Sequence, residues 1–252
     1  MRRFYIPPEA WRLDDLRLDP AQAHHCLDVV RLGPGDRVAV FNGRGAEATA
    51  EITAVHKHEV ALKHLHHSVS ARLPCEITLG QAVPKGRQME LIVQKATELG
   101  AAAVVPLLSE RTVVQSFPGD AKAKRDKWTL TAIEAAKQCG QNWVPEIHPP
   151  TRLKQFFDSG HSFDLLLIAS LQSDAIHLKD VLADYESAHK KRPSRVLMLI
   201  GPEGDFTPAE SALAKSCGCR PITLGPIILR TETAAIYCLS ILSYELLVEK
   251  RA

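Results

Sequence analysis

The chain has 252 residues, of which 45% are hydrophobic and 24% charged, and its formal net charge at pH 7 is +2. These values are typical of a globular protein with one large domain or two smaller ones. No apolar run approaches the roughly 20 residues that span a bilayer, and the first residues, MRRFYIPP, lack the apolar stretch of a secretory signal. We therefore expect a cytoplasmic protein without membrane contact.

The first region of the chain, up to about residue 70, is predicted to be a small, mostly β module, most simply a barrel. Residues 38–41, 46–55 and 59–65 have strand-like patterns, and Asn42-Gly43 between the first two is a strong hairpin signal. A short helix is predicted over residues 19–30, after the Asp19-Pro20 start. Residues 68–74 look like a linker.

Beyond the linker, strand and helix patterns alternate. Strands are predicted at 77–83, 102–107, 164–169, 196–200 and 222–224, and helices at 88–99, 124–139 and 231–248, with Gly100 and Gly140 closing the first two helices. Apolar strands without alternation, separated by helices, predict a parallel sheet covered on both faces. The fold class is therefore α/β, with a second, smaller β module in front of it.

Cysteine and histidine give little support for a metal site. The six cysteines do not suggest a disulfide framework, and Cys217 and Cys219 form a CxC pair that fits neither a redox CxxC nor a zinc site. We expect small buried thiols and no metal. Five histidines crowd one part of the first region, where outward-facing strand positions can also contact phosphates: His56, His58, His64, His66 and His67.

The most informative stretch is LMLIGPEGDFTPAE, residues 197–210. An apolar strand ends at a glycine turn, and Thr207, Pro208 and Glu210 then predict a helix that begins with a capping box. The turn lacks GxGxxG and the Lys-Ser/Thr of a P-loop. Loops at 170–172 and 224–230 follow two other strands, so the three loops are predicted to form one crevice at the carboxyl ends of the strands. Glycines in such loops let backbone groups approach a ligand.

Four separated motifs resemble one family, and they occur here in the same order. They are PKGRQMELIVQKATELGAAAVVPLLSERTVV, EAAKQCGQ, IGPEGDF and LGPIILRTETAAI. With HHCLDVVRL near the N-terminus, they are similar to the RsmE family, bacterial 16S ribosomal RNA uridine-N3 methyltransferases of the SPOUT (trefoil-knot) superfamily. The resemblance implies a PUA-like RNA-binding β-barrel at 1–72, a SPOUT α/β trefoil-knot domain at 73–252, bound S-adenosylmethionine, and a homodimer acting on 16S ribosomal RNA of the small subunit. A knot is a rare exception to the rule that chains do not thread their own loops.

The resemblance also implies which residues contact S-adenosylmethionine. They belong to the three loops and to the start of the last helix: Leu171, Ile200, Gly201, Pro202, Glu203, Gly204, Leu224, Gly225, Ile228, Leu229, Arg230, Thr233 and Ala234. Two positions depart from the family pattern, which usually has Gly at Asp205 and often Arg at Ile227.

Methylation of uridine N3 requires loss of a proton and stabilisation of negative charge. Arg230 is the candidate for orienting the base or a phosphate, and Glu232 and Glu203 are the candidate proton acceptors. Each has a structural alternative: residues 231–233 can cap the last helix, Glu203 can brace the knot by accepting backbone N–H groups, and Arg230 can pair with a carboxylate.

Basic side chains supply the candidate RNA contacts, because phosphates dominate the affinity of proteins for RNA. They are Arg2, Arg3, His24, His25, Arg31, Lys85 and Arg87. Two functional alternatives stay open. One is a SPOUT methyltransferase acting on another RNA base, and the other is a non-enzymatic RNA-binding protein of ribosome assembly.

Overall fold

The computed structural model describes residues 1–56, 59–112 and 121–248. His58 and residues 113–114 of the first quoted motif lie outside the described residues. The chain divides into two compact units: unit 1 is Met1–Arg72 with Ile133–Val144, and unit 2 is Leu73–Ala132 with the chain from Pro145 onward. The boundary predicted after residue 72 places the segment Ile133–Val144 in the second domain. In the structure this segment instead belongs to unit 1.

Unit 1 is built on a five-stranded sheet with the order β1-β3-β4-β5-β2. Strand β1 is parallel to β3, and the other neighbours are antiparallel. Inward-facing side chains of all five strands form one apolar core around fully buried Phe4, Ile6, Leu16 and Ile52. The strands are β1 Arg3–Tyr5, β2 Leu16–Leu18, β3 Arg37–Phe41, β4 Ala46–His56 and β5 Glu59–Val69.

The predicted hairpin between β3 and β4 is confirmed. Asn42 Oδ1 accepts hydrogen bonds from the backbone N–H groups of Arg44 and Ala46, at 2.8 and 3.0 Å. Gly43 and Gly45 have φ of 69° and 93°, which L-residues rarely adopt. The turn is therefore fixed by its own residues. The three-residue strands β1 and β2 were not predicted, because they are too short to show a pattern.

The predicted helix at 19–30 is present but changes its winding. Helix α1, Pro20–His24, begins at Asp19, whose carboxylate accepts the backbone N–H of Gln22. The chain then continues as one wider π-helical turn, His25–Val29. Such turns are rare, and they often occur at functional sites.

Residues 141–144 belong to unit 1 because their polar groups bond to residues that flank its strands. The carbonyl of Asn142 accepts the backbone N–H of Gly45 at 2.9 Å. Trp143 Nε1 donates to the carbonyl of Ser70 at 3.0 Å, and Arg72 lies over the Trp143 ring.

Unit 2 contains the predicted parallel sheet. Its order is β11-β13-β10-β12-β6-β7-β8, β9 also pairs with β7, and every pairing is parallel. The strands are β6 Glu76–Ala82, β7 Ala103–Leu108, β8 Glu146–Ile147, β9 Thr151–Arg152, β10 Leu165–Ala169, β11 Ile176–His177, β12 Arg195–Ile200 and β13 Arg220–Thr223.

In the described part of the chain after residue 72 there are six helices, and two of them, α4 and α5, were not predicted. They are α2 Gln88–Glu98, α3 Ala121–Cys139, α4 Leu153–Asp158, α5 Leu178–His189, α6 Pro208–Ser216 and α7 Thr231–Leu246. Gly100 and Gly140 follow α2 and α3 with φ of 80° and 81°, as predicted. Within the described residues, no helix is long and apolar enough to cross a membrane.

The centre of the sheet is closely packed. Residues 196–200 of β12 are all buried, which accounts for their continuous apolar sequence. On the adjacent strand β6, a Cβ at Gly80 would lie 2.5 Å from Cδ2 of Leu199. A side chain at this point would have to displace the buried Leu199 side chain.

The path of the last helix agrees with a SPOUT fold. Strand β13 lies beyond β10, yet the following helix α7 returns to pack against β12, β6 and α2. The Thr231 hydroxyl at its start donates to the Gly201 carbonyl at 2.7 Å. The C-terminal segment therefore meets the loop after β12.

Candidate S-adenosylmethionine cavity

A cavity of about 280 Å³ lies where β10, β12 and β13 end. Its position follows from the sheet order, because the carboxyl ends of neighbouring parallel strands meet at one edge. The lining is mainly aliphatic side chains and loop backbone, which is typical of small-molecule sites. The lining residues are Ala169, Ser170, Leu171, Ile200, Gly201, Pro202, Glu203, Asp205, Leu224, Gly225, Ile227, Ile228, Leu229, Arg230, Thr231 and Ala234.

Two of the predicted cofactor residues do not line this cavity. Gly204 packs instead against Arg111, whose Nη1 donates to the Gly204 carbonyl at 2.6 Å. Thr233 lies one helical step from Ala234 and faces a groove on the outer side of α7. Both positions came from the family resemblance, and motif similarity does not determine the direction in which a residue faces.

Five lining residues were not predicted to bind the cofactor: Ala169, Ser170, Asp205, Ile227 and Thr231. Position 205 carried a usable signal. The family usually has Gly there, and Asp205 has φ of 61°, in the left-handed region. Its side chain accepts the backbone N–H of Phe206 at 2.7 Å, and its own N–H donates to the Pro202 carbonyl at 2.9 Å. These two hydrogen bonds stabilise Asp205 in the left-handed backbone conformation, which glycine adopts more easily.

The turn after β12 is also held by neighbouring segments. Gln81 Nε2 donates to the Thr231 hydroxyl at 2.9 Å, and that hydroxyl donates to the Gly201 carbonyl. Glu203 Oε1 accepts the backbone N–H of Lys85 at 3.0 Å. Glu203 thus accepts a backbone N–H group, which is the bracing contact expected if its role is structural.

The predicted capping box of α6 is confirmed and extends further. Thr207 Oγ1 accepts the Glu210 N–H, and Glu210 Oε2 accepts the Thr207 N–H. Buried Glu210 also accepts the Ser109 hydroxyl at 2.9 Å and the Glu110 N–H at 3.0 Å. One carboxylate thereby links the segment after β7 to the helix that follows the cavity turn.

Two of the three candidate catalytic residues lie at the start of α7, Arg230 in the cavity lining and Glu232 outside it. Arg230 is the exposed N-cap residue, whose side chain makes no capping bond, and Glu232 is half-buried in the first turn. The Thr231 hydroxyl bonds to Gly201 rather than to its own helix. Residues 231–233 are therefore not simply a helix cap.

The candidate RNA contacts of unit 1 separate into exposed and engaged side chains. Arg2, His24 and Arg31 are exposed, although His24 Nδ1 lies 2.7 Å from Asp28 Oδ2. Arg3 pairs with Glu47, donates to Asn142 Oδ1 at 2.6 Å, and lies over the Phe41 ring. Arg3 is thus unavailable to RNA in this structure.

His25 is half-buried with its ring edge against Phe4. In unit 2, the side chains of Lys85 and Arg87 are exposed, as an RNA contact requires.

The thiols behave mostly as predicted. All six cysteines are free, and four are buried. Burial raises the pKa of Cys75, Cys219 and Cys238 to about 12, so these thiols are protonated and unreactive at neutral pH. Among the described residues, no group of three or more His, Cys, Asp or Glu is arranged to hold a metal ion.

Comparisons with known proteins define the class of this fold and cavity. The chain matches an RNA methyltransferase domain over residues 71–243 and an RNA methyltransferase PUA domain over residues 18–63. Unit 1 is thus PUA-like, and unit 2 is an α/β methyltransferase domain of the SPOUT type.

Individual relatives define the family more closely. Ribosomal RNA small subunit methyltransferase E of Bacillus subtilis is 32% identical over 249 residues, covering 97% of each chain. That of Synechocystis is also 32% identical, covering 94% of this chain and 76% of the relative. The chain belongs to the ribosomal RNA small subunit methyltransferase E family.

Two solved structures extend the similarity to the whole fold. A putative methyltransferase of Legionella pneumophila, in complex with S-adenosylmethionine, superposes with a TM-score of 0.86 at 35% identity, covering 96% of this chain and 97% of the other. The small subunit methyltransferase E of Neisseria gonorrhoeae, also bound to S-adenosylmethionine, gives 0.84 at 31% identity, with coverages of 97% and 98%.

Proposed function

We propose that this protein binds S-adenosylmethionine in the cavity beyond β10, β12 and β13, and methylates N3 of a specific uridine in 16S ribosomal RNA. The observation that carries the proposal is the cavity itself, formed by three loops at the carboxyl ends of neighbouring strands. A ribosomal substrate is consistent with the cytoplasmic location expected from the sequence.

The residues present fit this cofactor. Aliphatic side chains such as Ile200, Leu224 and Leu229 offer an apolar surface for an adenine ring, and the loop backbone offers donors and acceptors for its edge. At Gly225, φ is 108° and a Cβ would meet no atom within 4 Å. An open, side-chain-free backbone at a cavity wall permits close approach of a ligand.

When bound, S-adenosylmethionine supplies an electrophilic methyl group on a sulfonium. The protein must then place the acceptor nitrogen in line with that methyl group, which is mainly a positioning task. Exposed Arg230 at the cavity wall orients the uridine or its phosphate and stabilises negative charge on the base. The Glu232 carboxylate, two residues further on, accepts the N3 proton. Glu203 is used to hold the Lys85 N–H, so we assign it a bracing role.

Nucleoside mass spectrometry of 16S ribosomal RNA tests this function. RNA from a strain lacking the gene should lose one 3-methyluridine, and the wild-type gene should restore it. Glu232→Gln, which keeps the size and removes the charge, should restore little methylation while retaining S-adenosylmethionine affinity in calorimetry. The appearance of a different methylated nucleoside would favour the SPOUT alternative with another base. Absence of cofactor binding by the wild-type protein would favour the non-enzymatic alternative.

For unit 1, we propose that Arg2, Arg31 and His24 contact RNA phosphates. Each phosphate contact releases condensed cations, so replacing Arg2 and Arg31 by Gln should reduce the slope of log K against log salt by roughly 0.7–0.9 per contact. Arg17→Gln is the control, because Arg17 is exposed but already paired with Asp15 and Glu59. An unchanged slope in the double variant would place the RNA platform elsewhere.

We further propose that the protein is a homodimer, with the outer face of α7 packed against a second copy. This face is a shallow groove lined by Thr233, Ile236, Tyr237, Ser240, Ile241, Tyr244 and Glu245. Tyr237 and Tyr244 are 42% and 75% exposed, and exposed apolar patches commonly mark association surfaces. The groove begins at Thr233, next to cavity residue Ala234, so Arg230 and Glu232 would lie near the subunit boundary.

Light scattering of Tyr237→Glu and Leu130→Glu variants tests the dimer. Leu130 is an exposed apolar residue of α3 outside the groove, so its variant controls for the added charge. The wild-type protein and the Leu130 variant should be dimers, and the Tyr237 variant should dissociate. A monomeric wild-type protein with full activity would exclude this assembly.

A further inference from the structure

Arg111 contacts the turn after β12, which forms one wall of the cavity. Its Nη1 donates to the Gly204 carbonyl at 2.6 Å, and a Cβ at Gly204 would lie 3.6 Å from its Cδ. The two neighbours of Gly204 in sequence, Glu203 and Asp205, both line the cavity. The guanidinium is therefore held against the turn that forms one wall of the proposed cofactor site.

The segment that carries Arg111 is fixed on a buried polar network. The Ser109 hydroxyl and the Glu110 N–H both donate to Glu210. The Thr112 hydroxyl donates to the Ser109 carbonyl at 2.7 Å, and Ser109, Thr112 and Glu210 are all buried. Because its backbone is already ordered, Arg111 loses little conformational freedom when it binds a ligand.

The charge of Arg111 is not used inside the protein. Its side chain is exposed, and it forms no ion pair with any residue in 1–56, 59–112 or 121–248. A guanidinium has five N–H donors, and the hydrogen bond that the Arg111 side chain donates within the described residues goes to a neutral carbonyl. Four other arginines are neutralised by carboxylates: Arg3 by Glu47, Arg17 by Asp15, Arg195 by Glu76 and Arg220 by Asp184.

We propose that Arg111 binds a phosphate of the RNA strand that carries the target nucleotide, and thereby positions that nucleotide at the cavity. This inference rests on the function proposed above. Arginine is suited to this role because its planar donor array matches phosphate oxygens. Phosphate contacts fix the register of a nucleic acid on a protein without reading its sequence. The Gly204 carbonyl accordingly serves to orient the Arg111 guanidinium.

Three variants test the proposal: Arg111→Gln, Arg111→Lys and the control Arg192→Gln. Arg192 Nη1 also donates to a backbone carbonyl, that of Val248 at 3.0 Å, but it precedes β12 and so lies at the opposite end of that strand from the cavity. The probes are unmodified 16S ribosomal RNA and small subunits from a strain lacking the gene. RNA affinity is measured across a salt series, S-adenosylmethionine affinity by calorimetry, and KM and kcat by tritium transfer.

Arg111→Gln should weaken RNA binding and raise KM by about tenfold, the usual effect of a lost charged hydrogen bond. The salt slope should fall by roughly 0.7–0.9, while kcat at saturating RNA and cofactor affinity should stay near the wild-type values. Arg111→Lys should recover most of the salt slope, and Arg192→Gln should match the wild-type protein.

Unchanged RNA affinity and salt slope in Arg111→Gln would overturn the proposal. Equal loss of cofactor affinity and thermal stability in the Gln and Lys variants would also overturn it, since Arg111 would then only brace the turn. The wild-type protein in the cofactor and tritium assays tests the proposed function separately. If the wild-type protein shows no cofactor binding and no tritium transfer, while Arg111→Gln still weakens RNA binding as expected, only the methyltransferase function is rejected.

Discussion

A single methyl group at Gly201 should separate cofactor binding from folding. A Cβ built at this position lies 3.0 Å from Asp205 Oδ1, 3.1 Å from the Phe206 nitrogen and 3.3 Å from the Asp205 Cα. The carboxylate oxygen can rotate away, but the other two atoms belong to the backbone. Gly201→Ala must therefore displace residues 202–206 by a few tenths of an ångström, and these include three residues of the cavity wall.

The loss of cofactor affinity in Gly201→Ala depends on how much of this displacement the free protein tolerates and the bound protein does not. Overpacking of a well-packed region typically costs about 1–3 kcal/mol. In the free protein the exposed part of the turn can relax, so the free energy of unfolding should fall by less than this. A bound cofactor requires the original turn, and the remaining cost should appear as a roughly five- to hundredfold loss of S-adenosylmethionine affinity, at about 1.4 kcal/mol per tenfold.

Calorimetry with S-adenosylmethionine and thermal unfolding measure the two quantities on one preparation. Gly33→Ala is the matched control, because a Cβ there meets no atom within 4 Å and no left-handed φ opposes it. The control should bind the cofactor like the wild-type protein. If Gly201→Ala also binds within twofold of wild type, the assignment of this turn to the cofactor is wrong.

The remaining predictions concern stability. Asp205→Gly relieves a left-handed conformation worth about 1–2 kcal/mol but removes the bond to Phe206, so Tm should change by only a few degrees, whereas Asp205→Val should lower it clearly. Glu210→Ala leaves three donors without their acceptor, so a loss of about 2–4 kcal/mol, or roughly 5–15 °C in Tm, is expected; a change below 2 °C by calorimetry would contradict the network. Burial is the main reason why the pKa of His148 in the folded protein lies below its ordinary value of 6.5. The stabilising contribution of His148 is therefore present above about pH 6.5, and it is lost as the pH falls through the lowered pKa of the folded state. The drop in Tm between pH 7.5 and 5.5 should therefore be smaller in His148→Gln than in the wild-type protein, and an equal drop would exclude this histidine as a cause.

Local signals in the sequence predicted the features that are closed within a few residues. The capping box at Thr207 and Glu210, the hairpin at Asn42-Gly43 and the glycine caps after α2 and α3 all form as expected. In each of them the donor and acceptor, or the residue and its required φ, lie within about one turn of chain. The apolar strands similarly predicted a parallel sheet, because a strand buried on both faces has no polar alternation.

The location of the cavity was also predictable, because it follows from a general rule about parallel sheets. Most of the lining came from the loops after 169, 200 and 223, as predicted. The direction in which each single residue faces could not be predicted, and Gly204 and Thr233 do not line the cavity. Thr231 and Asp205 were missed for the same reason.

Only the tertiary structure decided which distant groups meet. The Glu210 carboxylate reaches Ser109 across 101 residues of sequence, and the Gln81 amide reaches Thr231 across 150. Arg3 was a candidate for RNA, but its contacts with Glu47 and Asn142 span 44 and 139 residues and commit it to unit 1. Arg111 was part of a recognised motif, yet its contact with the turn after β12 is made to a carbonyl 93 residues away. A sequence pattern indicates the periodicity and chemistry of one segment. The partner of a polar side chain depends on the packing of the whole sheet, because a buried or ordered polar group forms its hydrogen bond with whichever group the fold brings near it.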